Sequence, residues 1–188
     1  MAKVFDFDGT LYDGDSTIDF WLFAIRRQPK TLLALPWQLW AGTAFALKRI
    51  TRDEFKEAFF SFLPYITHIE HLVENFWRIN LRKIKPPIAS RLTKGDYIVS
   101  ASPQFLLAIP AARLGAHLIA TKVDPATGKL CGRNCRGSEK VLRCTTEGAP
   151  IPFSECYTDS MSDLPLTEIS ARSFLVKGNR VSNLPETA

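Results

Sequence analysis

The sequence predicts an α/β fold in which a parallel sheet carries covering helices and a block of helices is inserted after the first strand. Three observations lead there. Strand-like and helix-like segments alternate from Tyr97 onward, the pattern of a parallel sheet with crossover helices. That alternation is missing between Asp15 and about Arg82, where helix start signals take over. Three polar islands, Asp6-Phe7-Asp8-Gly9-Thr10, Ser100-Ala101-Ser102 and Asp159-Ser160-Met161-Ser162-Asp163, each follow a strand-like run. An open α/β sheet gathers its chemistry at such strand ends.

The elements follow in order. Lys3 to Phe7 is a short apolar strand with the first aspartate near its end. In the inserted block, Thr51-Arg52-Asp53-Glu54 is a capping box ahead of Phe55, Phe59, Phe60 and Phe62-Leu63. Thr67-His68-Ile69-Glu70 reads as a second box, ahead of Leu72, Val73, Phe76 and Ile79 at helical spacing. Lys85-Pro86-Pro87 marks the return to the sheet, because proline interrupts a helix or opens a new one. Lys94-Gly95-Asp96 turns into the strand Tyr97–Ser100. Ser102 is expected to cap a helix that starts at Pro103, bends at Pro110 and ends before Gly115.

His117 to Thr121 is the next strand, and Val123 to Leu130 a small hairpin around Pro125-Ala126-Thr127-Gly128. A helix from Ser138 to Thr146 places Lys140 in its first turn. Ser154 to Tyr157 leads into the third island, and Ser173 to Val176 is the last strand. The expected division is a core of residues 1–14 and 83–188 and a helical cap of residues 15–82.

A chain of 188 residues suits one domain with a modest insertion. Its 46% hydrophobic and 23% charged residues are ordinary for a globular protein. The net charge of +5 is spread along the chain, so no nucleic-acid partner is expected. Met1-Ala2-Lys3 leads directly into the first strand without a secretory signal, which points to a cytoplasmic location and reduced thiols. Cys131, Cys135, Cys144 and Cys156 lack the paired C-x-x-C spacing of a zinc site and are expected to be free.

The segment Thr31 to Leu47 is apolar, contains Pro36 and Gln38, and is flanked by Arg26-Arg27, Lys30 and Lys48-Arg49. It is shorter than the ~20 apolar residues that a bilayer-spanning helix needs. A buried helical hairpin of the cap is the first expectation. The alternative is peripheral membrane contact through 31–47, with Trp37 and Trp40 at headgroup depth beside the basic flanks.

Asp6 and Asp8, two residues apart at a strand end, repel each other unless a cation or a shared proton intervenes. Mg2+ suits such a site, because it prefers oxygen ligands in octahedral geometry. Asp6 and Asp159 can supply carboxylates, and the backbone carbonyl of Asp8 can complete the protein's share. Taken singly, Asp159, Ser100 or Lys140 would read as a turn cap, a strand-end cap or a solvated surface residue. As an ordered set they can hold a divalent cation and a phosphoryl group, and the chain reads as an enzyme.

Asp-Phe-Asp-Gly-Thr-Leu resembles the first motif of the haloacid dehalogenase-like (HAD) superfamily, whose core is a Rossmann-like parallel sheet. Ser100 matches the second motif, Lys140 the third, and Asp159 with Asp163 the fourth, in the family's order. The insertion after the first strand resembles the subclass with phosphoserine phosphatase-like enzymes and a helical cap. The resemblance implies a magnesium-dependent phosphatase acting on a phosphomonoester through an aspartyl-phosphate intermediate. Asp6 would be the nucleophile and Asp8 the acid and base. Gly9, Ser100, Ala101 and Lys140 would hold phosphoryl oxygens, Asp6, Asp8 and Asp159 the metal, and Asp163 would fix Lys140 or a metal-bound water.

Asp15 stands where phosphoserine phosphatases carry an acidic substrate contact. In place of their glycines after the second-motif serine, this chain has Ala101-Ser102. Asp8 favours a phosphatase over a dehalogenase, since an alkoxide leaving group needs a proton and a halide does not. Arg26-Arg27-Gln28-Pro29 before an apolar run also resembles phosphatidylglycerophosphatase C-type enzymes. That second resemblance implies a phospholipid head group as the alternative to a small phosphorylated substrate.

Overall fold

The computed structural model describes residues 1–184, so the last four residues of the expected core span 83–188 lie outside the described residues. The strands are β1 Val4–Phe5, β2 Tyr97–Pro103, β3 His117–Thr121, β4 Cys156–Thr158, β5 Ser173–Lys177 and β6 Arg180–Asn183. They form one sheet in the order β3-β2-β1-β4-β5-β6. The first five are parallel, and β6 returns antiparallel to β5. Strand β1 is central, with β2 and β4 on either side. The chain leaves β1 toward one half of the sheet and later crosses to the other, so β1 sits at the switch point that opens a crevice.

Period-two alternation in these strands feeds two cores. Phe5, Ile98 and Tyr157 face one way, while Val4, Val99 and Cys156 face the other. The second face packs against Cys135, Cys144, Phe153 and Leu166. The first is continuous with Phe20, Phe60, Phe62, Phe76 and Trp77 of the inserted helices. Helices α1 Ser16–Arg27, α2 Leu35–Ala46, α3 Arg52–Phe59 and α4 Ile69–Asn80 all lie between β1 and β2. After them come α5 Pro86–Ala89, α6 Gln104–Leu114, α7 Ser138–Thr146 and α8 Leu164–Glu168.

Most expected boundaries hold, and the exceptions have physical reasons. The Thr51 capping box forms with Glu54. The box expected at Thr67 does not: the Thr67 N–H and hydroxyl both donate to Gln28 Oε1, and His68 is the residue before α4, at φ 53. Ser102 does not cap α6, because β2 runs on to Pro103 and the helix starts at Gln104. Its hydroxyl is engaged elsewhere, as described below. Strand β6, which pairs with β5, lies beyond the last expected strand, and this mostly exposed, polar strand offers no apolar alternation.

The buried hairpin expected for 31–47 is overturned. Residues Pro29–Ala34 form a 3-10 turn, and Pro36 stands at the start of α2, where its missing N–H costs nothing. Helix α2 turns Gln38, Ala41 and Ala44 inward. The Gln38 amide donates to the carbonyl of Phe59 at the end of α3 (2.7 Å). The large apolar residues point out: Trp37 is 52% exposed, Leu39 63% and Trp40 51%. Among the described residues no helix is long and apolar enough to cross a membrane.

Helix α4 joins the insertion to α6 through a directed bond. Pro110 lies inside α6 and has no N–H, which deprives the Leu106 carbonyl of its helical donor. The Trp77 indole N–H donates to that carbonyl at 2.6 Å, and the ring packs edge-on against Phe7, Tyr12 and Phe76. Trp77→Phe keeps most of the packing and orphans the carbonyl. It is expected to lower stability by about 1–3 kcal/mol, read from the midpoint of denaturant unfolding; an unchanged midpoint contradicts this.

Candidate active site

Asp6 and Asp159 directly follow the adjacent strands β1 and β4, and Ser100 lies midway along β2, on the other side of β1. Lys140 reaches them from the first turn of α7, and Asp163 from the turn before α8. These five line one cavity of about 440 Å3, together with Asp8, Asp15 and Ala101. Of the residues singled out from the sequence, only Gly9 is not on its wall.

Lys140 is 2% exposed, and its Nζ donates to Asp6 Oδ1 at 2.7 Å and to Asp163 Oδ2 at 2.8 Å. Burial alone would lower the ammonium pKa; the two carboxylates more than reverse this and raise it. The Thr158 hydroxyl donates to Asp163 Oδ2 (2.9 Å), so that carboxylate is fixed behind the lysine. Burial raises the Asp6 pKa against the pull of Lys140, with Asp163 and Asp8 adding repulsion. Asp6 Oδ2 accepts no hydrogen bond among the described residues and is open to the cavity.

Asp8 is held differently. Its Oδ1 accepts the Ser16 N–H (2.6 Å) and its Oδ2 the Ser102 hydroxyl (2.5 Å). Thr17 Oγ1 lies 2.8 Å from the same Ser102 oxygen. Burial, then the charge of Asp15, pushes the Asp8 carboxyl up to about 6, against the donors from Ser102 and Ser16. A carboxyl that titrates this close to neutrality can both give and take a proton.

Gly9 contributes space and shape. At φ +74 it adopts a left-handed conformation, and a Cβ there would overlap the Asp159 carboxylate. Its N–H donates to the Gly14 carbonyl (3.0 Å), so that group is already engaged. Its carbonyl is pinned by Lys85, which also donates to the Gly178 carbonyl (3.0 Å). Asp15 caps α1 by accepting from the Thr17 and Ile18 N–H groups (2.9 and 3.0 Å), which leaves it at the cavity edge. Thr10 is buried without a hydrogen-bond partner, so it braces its loop by packing alone. Ser160 caps the turn at Ser162.

Among the described residues no three His, Cys, Asp or Glu side chains gather as a ready metal cluster. The donors present still fit a magnesium ion. Asp159 lies against Gly9, Asp6 shares its cavity, and the Asp8 carboxylate is turned away to Ser16 and Ser102. That leaves two carboxylates and a backbone carbonyl, all hard oxygens, with room for water. The four cysteines are unpaired, and Cys131 is exposed while the others are buried.

Several residues of the site were not singled out from the sequence. Arg52, Phe55, Lys56 and Phe59 line the cavity from one face of α3, at helical i, i+3, i+4, i+7 spacing. Asn134 and Arg136 come from the long loop before α7. The α3 stripe was readable from the capping box and the 3.6-residue period. Nothing in the sequence marks Asn134.

Fold and cavity together define an α/β enzyme with its chemistry at the strand ends of a switch-point crevice. The family model for haloacid dehalogenase-like hydrolases matches residues 4–168, and the chain belongs to that family. Protein CicA of Caulobacter vibrioides (strain NA1000 / CB15N) is 28% identical over 192 residues, covering 90% of this chain and 83% of that protein. A Bordetella pertussis Tohama I protein of unknown function superimposes with a TM-score of 0.75 at 23% identity, over 92% of this chain and 87% of that one. A phosphoserine phosphohydrolase-like protein from Francisella tularensis gives 0.56 at 14% identity, over 92% and 85%. A substrate-bound phosphoserine phosphatase gives 0.57 at 13%, over 92% and 83%. These structural likenesses bear on the fold.

Proposed function

We propose that the protein is a magnesium-dependent phosphatase that hydrolyses a phosphomonoester through an aspartyl-phosphate, with residues 1–14 and 83–188 as catalytic core and 15–82 as a helical cap of the phosphoserine phosphatase-like type. The observation that carries this is the convergence of Asp6, Asp8, Asp159 and Lys140 on one cavity, with Asp6 Oδ2 open to it. Membership of the hydrolase family supports the same reading.

In the first step Asp6 Oδ2 attacks phosphorus and the ester P–O bond breaks. Asp8 gives its proton to the departing oxygen. Water then attacks the phosphorus of the aspartyl-phosphate, Asp8 takes its proton, and inorganic phosphate leaves with the Asp6 carboxylate restored. The Ser100 hydroxyl, the Ala101 N–H and Lys140 bind the phosphoryl oxygens, where donors fixed in advance count most. Asp163 holds Lys140 in place from behind. Asp6, the Asp8 carbonyl and Asp159 would hold the cation, which supplies positive charge against the repulsion between substrate and nucleophile. Asp15, at the cavity rim, meets the substrate's far end.

A second reading, in which the phosphomonoester sits on a phospholipid head group, is favoured by the surface of α2. Trp37 and Trp40 stack on each other, ring centroids 4.5 Å apart, on the exposed face with Leu33 and Leu39. Residues 20–52 contain six basic residues and no Asp or Glu. Tryptophan beside lysine and arginine suits the headgroup layer of an anionic membrane.

Phosphate release from a panel of small phosphomonoesters and phosphatidylglycerophosphate tests the first reading. Activity is expected to require magnesium, to vanish on chelation and in Asp6→Asn, and to fall roughly 10²–10⁴-fold in Asp8→Asn. Unchanged release in Asp6→Asn contradicts it. The second reading predicts co-sedimentation with phosphatidylglycerol vesicles but not with phosphatidylcholine vesicles, and loss of binding in a Trp37→Ser, Leu39→Ser double variant. Equal recovery in the supernatant with both vesicle types contradicts it.

A further inference from the structure

The α3 stripe carries a cation that the chemistry above leaves unused. Lys56 lines the cavity, and its Nζ donates to the Ala101 carbonyl and to Asn134 Oδ1 (2.5 Å). Among the described residues it has no carboxylate partner within ion-pair distance. A lysine ammonium has three N–H donors, and two neutral oxygens account for two of them. Its stem runs past the Phe60 ring, with Nζ 5.9 Å from the centroid.

The two acceptors need this donor. Thr121 Oγ1 also lies within reach of both, 2.7 Å from the Ala101 carbonyl and 3.0 Å from Asn134 Oδ1. A hydroxyl has one proton, so Thr121 serves one oxygen at a time. It also accepts the Cys135 N–H (3.1 Å), which ties the loop before α7 into the same cluster. Lys56 is therefore the group that satisfies both acceptors together, and it does so from the inserted helices.

What the Ala101 carbonyl controls is the residue that follows it. The Ser102 N–H, in the same peptide unit, donates to Ser100 Oγ at 3.1 Å, and the Ser102 hydroxyl donates to Asp8 Oδ2. A rotation of that peptide would move Ser102 away from Asp8 and Ser100 together. We propose that Lys56 is a positioning residue: by fixing the Ala101 peptide from the inserted helices, it holds Ser102 on Asp8, the acid that protonates the leaving oxygen. This rests on the phosphatase reading of the site.

The same geometry gives Lys56 a pH signature. Burial pushes its ammonium down to about 8, while the carboxylates of Asp15, Asp8 and Asp53 pull the other way. They face it from the start of α1, the turn after β1 and α3 itself. The Cys135 thiol, on the loop before α7, is pushed up to about 11 by burial and is neutral in this range. Since the lysine value is lowered, its charge is present below about pH 8 and is lost as pH rises through that value. A neutral amine makes weaker hydrogen bonds than an ammonium, so the latch loosens on the alkaline side.

Kinetics on two esters separate positioning of the acid from general damage. p-Nitrophenolate leaves without a proton, whereas the alkoxide from β-glycerophosphate needs the one on Asp8. Lys56→Met is expected to lower kcat for β-glycerophosphate about tenfold more than for p-nitrophenyl phosphate, a fraction of the full worth of an acid. Lys56→Arg should restore most of that loss and move the alkaline limb of the wild-type profile from near pH 8 to higher pH. Asn134→Asp places a carboxylate beside Lys56 and should move the limb the same way, a readout that survives if Lys56→Met folds poorly. Turnover of both esters by the wild type, abolished in Asp6→Asn, establishes the phosphatase reading in the same assay. Equal losses on the two esters, or an alkaline limb that stays put in Lys56→Arg and Asn134→Asp, overturns the role of Lys56 alone.

Discussion

A lysine ammonium buried between two carboxylates organises this molecule. Burial disfavours the Lys140 ammonium, and its contacts with Asp6 and Asp163 more than offset that cost. The three groups come from β1, the first turn of α7 and the turn before α8, so that one contact ties the centre of the sheet to its C-terminal half. Asp6, Asp8, Asp15, Asp159 and Asp163 share the cavity wall with Lys140, Arg52, Lys56 and Arg136, and Lys140 is already committed to two of the carboxylates. The proposed divalent cation and phosphoryl group would sit among these charges.

The surrounding fold holds those groups at fixed distances. Strand alternation sends Phe5, Ile98 and Tyr157 to one core and Val4, Val99 and Cys156 to the other, which leaves the strand ends free for polar residues. The first core does not stop at the sheet. It continues through Phe7 and Trp77 into Phe20, Phe62 and Phe76, so the inserted helices and the sheet share one apolar interior. Lys56 and Gln38 add directed bonds at the edges of that interior, one toward the cavity loop and one across the insertion.

The sheet and the motif residues were legible because they obey short-range rules. An apolar run followed by Asp-x-Asp-Gly-Thr, or a serine at a strand end, carries its own address along the chain. The Thr51 box and the Gly115 helix end followed from capping chemistry in the same way. Where the reading failed, a long-range partner had outbid a local one. Thr67 gives up its box for Gln28, and Ser102 gives up its cap for Asp8. Helix α2 misled for a different reason. It is apolar on every side, so composition could not say which face turns inward, and the body chose Gln38 and two alanines. Asn134 and Lys85 were silent because a loop asparagine and a lysine before prolines look alike whether buried or solvated.

The most direct test of the central claim is fluorine NMR of the protein with beryllofluoride, an analogue of the phosphoryl group on a carboxylate. If Asp6 lies beside a divalent cation and Lys140 in one cavity, bound fluorine resonances will appear only when magnesium is present, and Asp6→Asn will abolish them. Bound resonances of equal intensity in Asp6→Asn, or none in the wild-type protein at saturating magnesium, would contradict it.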